Sequence, residues 1–172
     1  MRTFFGVEIP KKNTKCSKLS EDILPGDEIY SVLKNLDDNY IREDYCSSCW
    51  STVQNELEES VVLNWKSIVS QQKPRKDLFM SKDQQELSLF TKLAASDSLM
   101  DLHQAYILSL YLSRKKQIYF RKEFQNDLGQ TLILYEFASN EENIIIKKFE
   151  FSELDLSSIQ KAIADSLKTI LC

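Results

Sequence analysis

The spacing of apolar residues divides the chain into stretches with different expected structure. Leu87, Phe90, Leu93 and Ala94 recur at the period of one helical face, and Ser81-x-x-Gln84 just before them has the form of a capping box. A second helix is expected from Ser98-x-x-Asp101 to about Arg114, packed on the first as a hairpin. Residues 105–112 are apolar almost all round, which predicts cover on more than one side. Beyond it Ile118, Phe120 and Phe124 alternate with Tyr119, Arg121 and Glu123, and further strands are expected over 131–137 and 144–149, separated by turns at 126–129 and 139–143. These three strands predict an antiparallel meander. A last helix, with Leu156, Ile159, Ile163, Leu167, Ile170 and Leu171 on one stripe, should cover one face of that sheet.

The first 72 residues lack this regularity. Leu24-Pro25-Gly26-Asp27 is a turn signal, because Pro25 presets φ and Gly26 accepts the positive φ of a type II turn. Strands at 29–36 and 40–45, separated by Asp37-Asp38-Asn39, predict a hairpin with a Cys pair at its end. Val61-Val62-Leu63-Asn64-Trp65 is too short for periodicity to choose between strand and helix. The polar segment 71–77, with Pro74, is the expected seam. The fold class is therefore α+β: a Cys-containing β-rich module over 1–72, of zinc-ribbon-like form, then an α-α-β-β-β-α module over 73–172.

Composition narrows the function. At 172 residues, 42% apolar and 28% charged, the chain is globular rather than disordered. The net charge of −4, with the acidic excess before residue 73, gives no general attraction to nucleic acid or anionic lipid. Two basic clusters, Lys11, Lys12, Lys15 and Lys18, and Arg114, Lys115, Lys116, Arg121 and Lys122, are expected as solvated faces; the second, interleaved with Tyr119 and Phe120, is the region a nucleic-acid binder would use. Residues 1–10 show no secretory pattern, and the longest apolar stretch is far shorter than the ~20 residues of a membrane span. Four Cys under those conditions point to reduced thiols or metal ligands in the cytoplasm.

Candidate chemistry centres on Cys46-Ser47-Ser48-Cys49-Trp50. Two thiolates three positions apart on a tight turn can converge on one ion, and Cys16 upstream can supply a third sulfur to a structural zinc. Neither Asn13 nor Leu19, three positions to either side of Cys16, is a good ligand. The fourth position stays open between a carboxylate, Cys172, His103 and no protein ligand. Unmetallated buried thiols are the plain alternative. A thiol-disulfide oxidoreductase using Cys46 and Cys49 is a further one, although no βαβ pattern surrounds the pair. His103, in a helix, is expected as a packing residue with no nucleophile tied to it by spacing. The adjacent carboxylates Asp37-Asp38, Glu43-Asp44 and Glu58-Glu59 are expected at turns or on solvated faces, and isolated glycines offer no phosphate cradle. No catalytic set emerges.

Cys16, Leu24-Pro25-Gly26-Asp27, Tyr30-Ser31-x-Leu33, Arg42-x-Asp44-Tyr45-Cys46 and Cys49-Trp50, taken together, resemble an uncharacterised family of bacterial proteins of similar length. The resemblance implies an architecture and a cysteine motif, and no substrate. The expectation is a non-enzymatic protein that binds another protein and contains a structural zinc site.

Overall fold

The computed structural model describes residues 9–36, 39–57, 60–70 and 81–170, with residues 169 and 170 as backbone only. The expected seam at 71–77, the Asp37-Asp38 and Glu58-Glu59 pairs and Cys172 lie outside the described residues. The architecture is α+β, with two three-stranded antiparallel sheets and four α-helices. It divides into two compact units, one within Glu8–Pro74 joined by Asn140–Asn143, the other within Arg75–Ser139 and Ile144–Cys172.

The first unit contains β1 (Glu28–Leu36), β2 (Asn39–Cys46), α1 (Ser47–Val53) and β3 (Val61–Ile68). Its entry turn is closed by Asp27 N–H donating to Leu24 O at 3.0 Å, with Gly26 at φ 96°, where a side chain would be strained. The predicted hairpin is β1 with β2, and the ambiguous segment around Val61 proves to be a strand that pairs with the other edge of β1, giving the order β2-β1-β3. Eight residues cannot declare their period; a free row of backbone donors and acceptors on β1 decides it. Register sorts the side chains into rows, with Asp44, Ser31 and Trp65 on one face and Tyr45, Tyr30 and Lys66 on the other.

The second unit contains α2 (Lys82–Ala94), α3 (Leu99–Arg114), β4 (Ile118–Gln125), β5 (Thr131–Phe137), most of β6 (Asn143–Lys147), a 3-10 turn at Phe151–Glu153 and α4 (Leu156–Ile170). The capping box forms: Ser81 Oγ accepts from Gln84 N–H at 3.3 Å, and Gln84 Oε1 from Ser81 N–H at 2.8 Å. Replacing Ser81 with Ala should therefore cost about 1 kcal/mol, read from the midpoint of denaturant unfolding. In α3 the expected all-round burial is incomplete. Ala105, Leu108 and Leu112 are buried in the core with Phe90, Ile133 and Tyr135, while Leu110 and Tyr111 are exposed. Helix α4 buries Ile159 in the same core, where Ile163 and Leu167 join Ile133, Tyr135 and Ile146 of the sheet, and α2 and α3 run beside it.

Candidate metal centre

Residues 14–23 fold back on themselves as a small hairpin. Lys15 and Asp22 form an antiparallel bridge, Ile23 N–H donates to Thr14 O at 2.9 Å, and Cys16 N–H to Glu21 O at 2.8 Å. At the tip Ser20 N–H returns to Cys16 O at 2.8 Å, and Ser20 takes a φ of 58°, the left-handed backbone that lets so short a loop close. The backbone N–H groups of Lys18 and Leu19 are turned inward onto the Cys16 sulfur, and that of Cys46 reaches it from β2. Such a loop is the half-site from which zinc ribbons draw two sulfurs three residues apart. In this chain the second position is Leu19, which is exposed.

The other two sulfurs come from the junction of β2 and α1. The sequence suggests a tight turn for Cys46-x-x-Cys49, but Cys46 is the last residue of β2 and Cys49 lies in the first turn of α1. A strand running directly into a helix brings both side chains to one side just as a turn would. The Sγ atoms of Cys16, Cys46 and Cys49 lie within 4.8 Å of one another. Cys16 and Cys49 are buried and Cys46 is half-buried, in a cluster with Val32 and Tyr45 flanked by Trp50, Val53, Leu57 and Val61. Trp50 stacks on Tyr30 at 4.9 Å between centroids, which fixes α1 to the sheet. Four zinc ligands at about 2.3 Å would set sulfurs about 3.8 Å apart, so separations within 4.8 Å are near what an ion requires.

The Cys16 and Cys49 thiols are shifted in opposite directions. Burial pushes the Cys16 thiol up, but hydrogen bonds from the N–H groups of Cys46, Leu19 and Lys18, and from the Cys46 side chain, outweigh it and bring it down to about 7. Cys49 is pushed up to about 11, first by burial and then by hydrogen bonds and charge shared with Cys46 and Cys16. Ser48 Oγ is 3.0 Å from Cys46 Sγ.

The Cys16 loop is tied to the sheet by Asp44. The backbone N–H of Asp44 donates to Ser17 Oγ at 3.1 Å and its carbonyl accepts from Ser17 N–H at 2.8 Å, along the outer edge of β2. Its fully buried carboxylate accepts from Asn13 N–H at 2.7 Å, from Arg42 Nε at 3.0 Å and from Ser31 Oγ. Arg42 is itself buried, lies 5.0 Å over the Trp65 ring, and donates onward to Asn143 at 2.8 Å. The adjacent acids Glu43-Asp44 were expected on a solvated face; Glu43 is half-buried in an ion pair with Lys34 at 2.9 Å, and Asp44 is wholly inside. Strand alternation holds the missed signal. Arg42 and Asp44 are two apart and so share a face, on the strand that leads into the Cys pair.

No family model matches the chain, and no curated protein or solved structure matches it. The site is read from its own geometry.

Of the candidate fourth ligands, Cys172 lies outside the described residues, and His103 packs edge-on against Phe149 at 4.5 Å in the second unit. Among the described residues no carboxylate or imidazole joins the three sulfurs. The basic clusters expected as solvated faces are largely paired with acids. Lys11 and Lys12 pair with Glu142 and Glu141, and Lys15 and Lys18 stand 3.9 Å from Asp22 and Glu56. In the 114–122 region, Lys115 is held at 2.7 Å by both Asp83 and Glu86, and Arg121 at 2.7 Å by Glu136. Those two cations are neutralised within the unit, while Tyr119 and Phe120 are exposed. No helix among the described residues is long and apolar enough to cross a membrane.

Proposed function

We propose that Cys16, Cys46 and Cys49 bind zinc as a structural centre, and that the unit so stapled serves a non-enzymatic, protein-binding role. The observation that supports this reading is the convergence of three sulfurs from two separate pieces of chain, a hairpin loop and a strand-to-helix junction. Stability supplies the motive. A unit of this size seldom gets more than about 3–5 kcal/mol from its apolar core, and small domains make up the difference with disulfides or metals. The sulfur cluster is also the place where the ten-residue loop meets the sheet, so an ion there would pin that loop to β2 and α1. Recognition of another protein suits the exposed Leu24 and Ile68, which stand at one end of the unit where Val69 N–H donates to Asp27 O.

Untagged protein purified under reducing conditions should carry one zinc per chain, with the three thiols protected from alkylation until a chelator is added. X-ray absorption should place three sulfurs at about 2.3 Å from the ion. Trace zinc with every thiol free removes the metal reading. A Cys46 to Cys49 disulfide that forms when an oxidised dithiol is supplied and reopens when reductant is returned would favour the oxidoreductase instead. For the binding role, wild-type protein should enrich a partner from native lysate that a Leu24→Asp and Ile68→Asp double variant does not. Equal recovery by both would count against it.

A further inference from the structure

Three sulfurs also match an ion that needs no fourth donor. This inference rests on the three cysteines forming one metal site, as proposed above, and asks what that site selects.

Zinc bound by three thiolates leaves a net charge of −1 and wants a fourth donor. Here the donors grouped among the described residues are three sulfurs, and the loop position from which a ribbon would supply another is Leu19. The side chains around the sulfurs are Val32, Tyr45, Val53, Leu57 and Val61, so the N–H groups directed at Cys16 offset only part of such a charge and the remainder is costly. A trivalent ion with a stereochemically active lone pair needs three bonds, all to one side, and with three thiolates it is neutral. Soft thiolate donors favour soft acceptors.

We propose that Cys16, Cys46 and Cys49 bind trivalent arsenic or antimony as a pyramidal tris-thiolate. Starting from arsenous acid, three As–O bonds break and three As–S bonds form. Each thiol proton leaves with a hydroxide as water, so three waters are released and arsenic stays trivalent. The lone pair fills the vertex that zinc would give to a fourth ligand. Cys46, half-buried beside Ser48, offers the first sulfur to an incoming ion, and the buried Cys16 and Cys49 complete the set.

The test is titration of the reduced full-length chain with arsenite alone, followed by native mass spectrometry, thiol counting and the ultraviolet absorption of As–S bonds. One arsenic per chain is expected, with a mass gain of one arsenic less three hydrogens, and Cys172→Ser should behave as wild type. Cys16→Ser, Cys46→Ser and Cys49→Ser should each weaken binding by more than about 100-fold, since even outer-shell changes cost about 10- to 100-fold. Serine variants can misfold, so the wild-type mass gain stands as an independent measurement. Arsenic that retains a hydroxyl on two sulfurs, or binding that survives Cys16→Ser, overturns the proposal. Zinc bound through three sulfurs by a chain that refuses arsenite sinks this inference alone; a chain that binds neither sinks the metal reading with it.

Discussion

Asp44→Ala should destabilise the first unit by about 3–5 kcal/mol, the cost of leaving a buried charge without its partner. The residue is fully buried, and removing its carboxylate strands the Arg42 guanidinium, the Ser31 hydroxyl and the Asn13 N–H together. The chain's two tryptophans, Trp50 and Trp65, both belong to this unit, and Trp65 lies under Arg42, so fluorescence in urea reports the loss directly. Arg42→Ala should cost a similar amount for the converse reason, a carboxylate left unpaired. The Arg42→Ala and Asp44→Ala double variant should then lose much less than the sum of the two, because neither charge is orphaned. Additive losses would show that the pair does not act as a unit. The loop should suffer as well. Asp44 ties residue 13 by its side chain and residue 17 by its backbone, so Asp44→Ala removes only the first tie, and Cys16 should become faster to alkylate while Cys49 changes little.

Zinc should raise the stability of the reduced chain by about 4 kcal/mol when free zinc stands a thousandfold above its dissociation constant, and Cys16→Ser should abolish that increment. The reason is mass action: an ion that needs sulfurs from a loop and from a strand-to-helix junction binds the folded unit and not the open chain. Thermal unfolding with and without chelator measures it, and the midpoint of the wild type should depend on zinc concentration while that of Cys16→Ser does not. Cys16 is the informative position because it is separated in sequence from the other two, and losing it leaves a local pair that an unfolded chain offers equally well. A zinc-independent midpoint in the wild type would remove the stapling role. The predicted Ser81→Ala loss, by contrast, belongs to the second unit and should be the same with or without zinc.

The helical and meander elements of the second unit were legible because their signals are local. A capping box, a 3.6-residue stripe and an alternating run are each written within a few turns of chain, and α2, β4 and β5 fall where those patterns put them. The stripe of α4 says that a face will be buried but not every partner it meets, and α2 and α3 join the sheet residues around Ile159. The same limit applied at Val61, where a short apolar run became a strand because β1 had an open edge to fill.

For the candidate site, sequence alone determined the donors: three sulfurs, a paired spacing, and no natural second ligand beside Cys16. Their meeting was decided by tertiary structure. Cys46 lies thirty positions after Cys16, and nothing local encodes that the two should meet. The sulfurs meet because a left-handed Ser20 closes the loop, because the loop pairs with the edge of β2 at Asp44, and because β2 turns straight into α1. Asp44 shows the same division. Its charge reads as solvent-facing from composition, and only the strand register, by setting it opposite Ser31 and beside Arg42, makes burial the lower-energy choice.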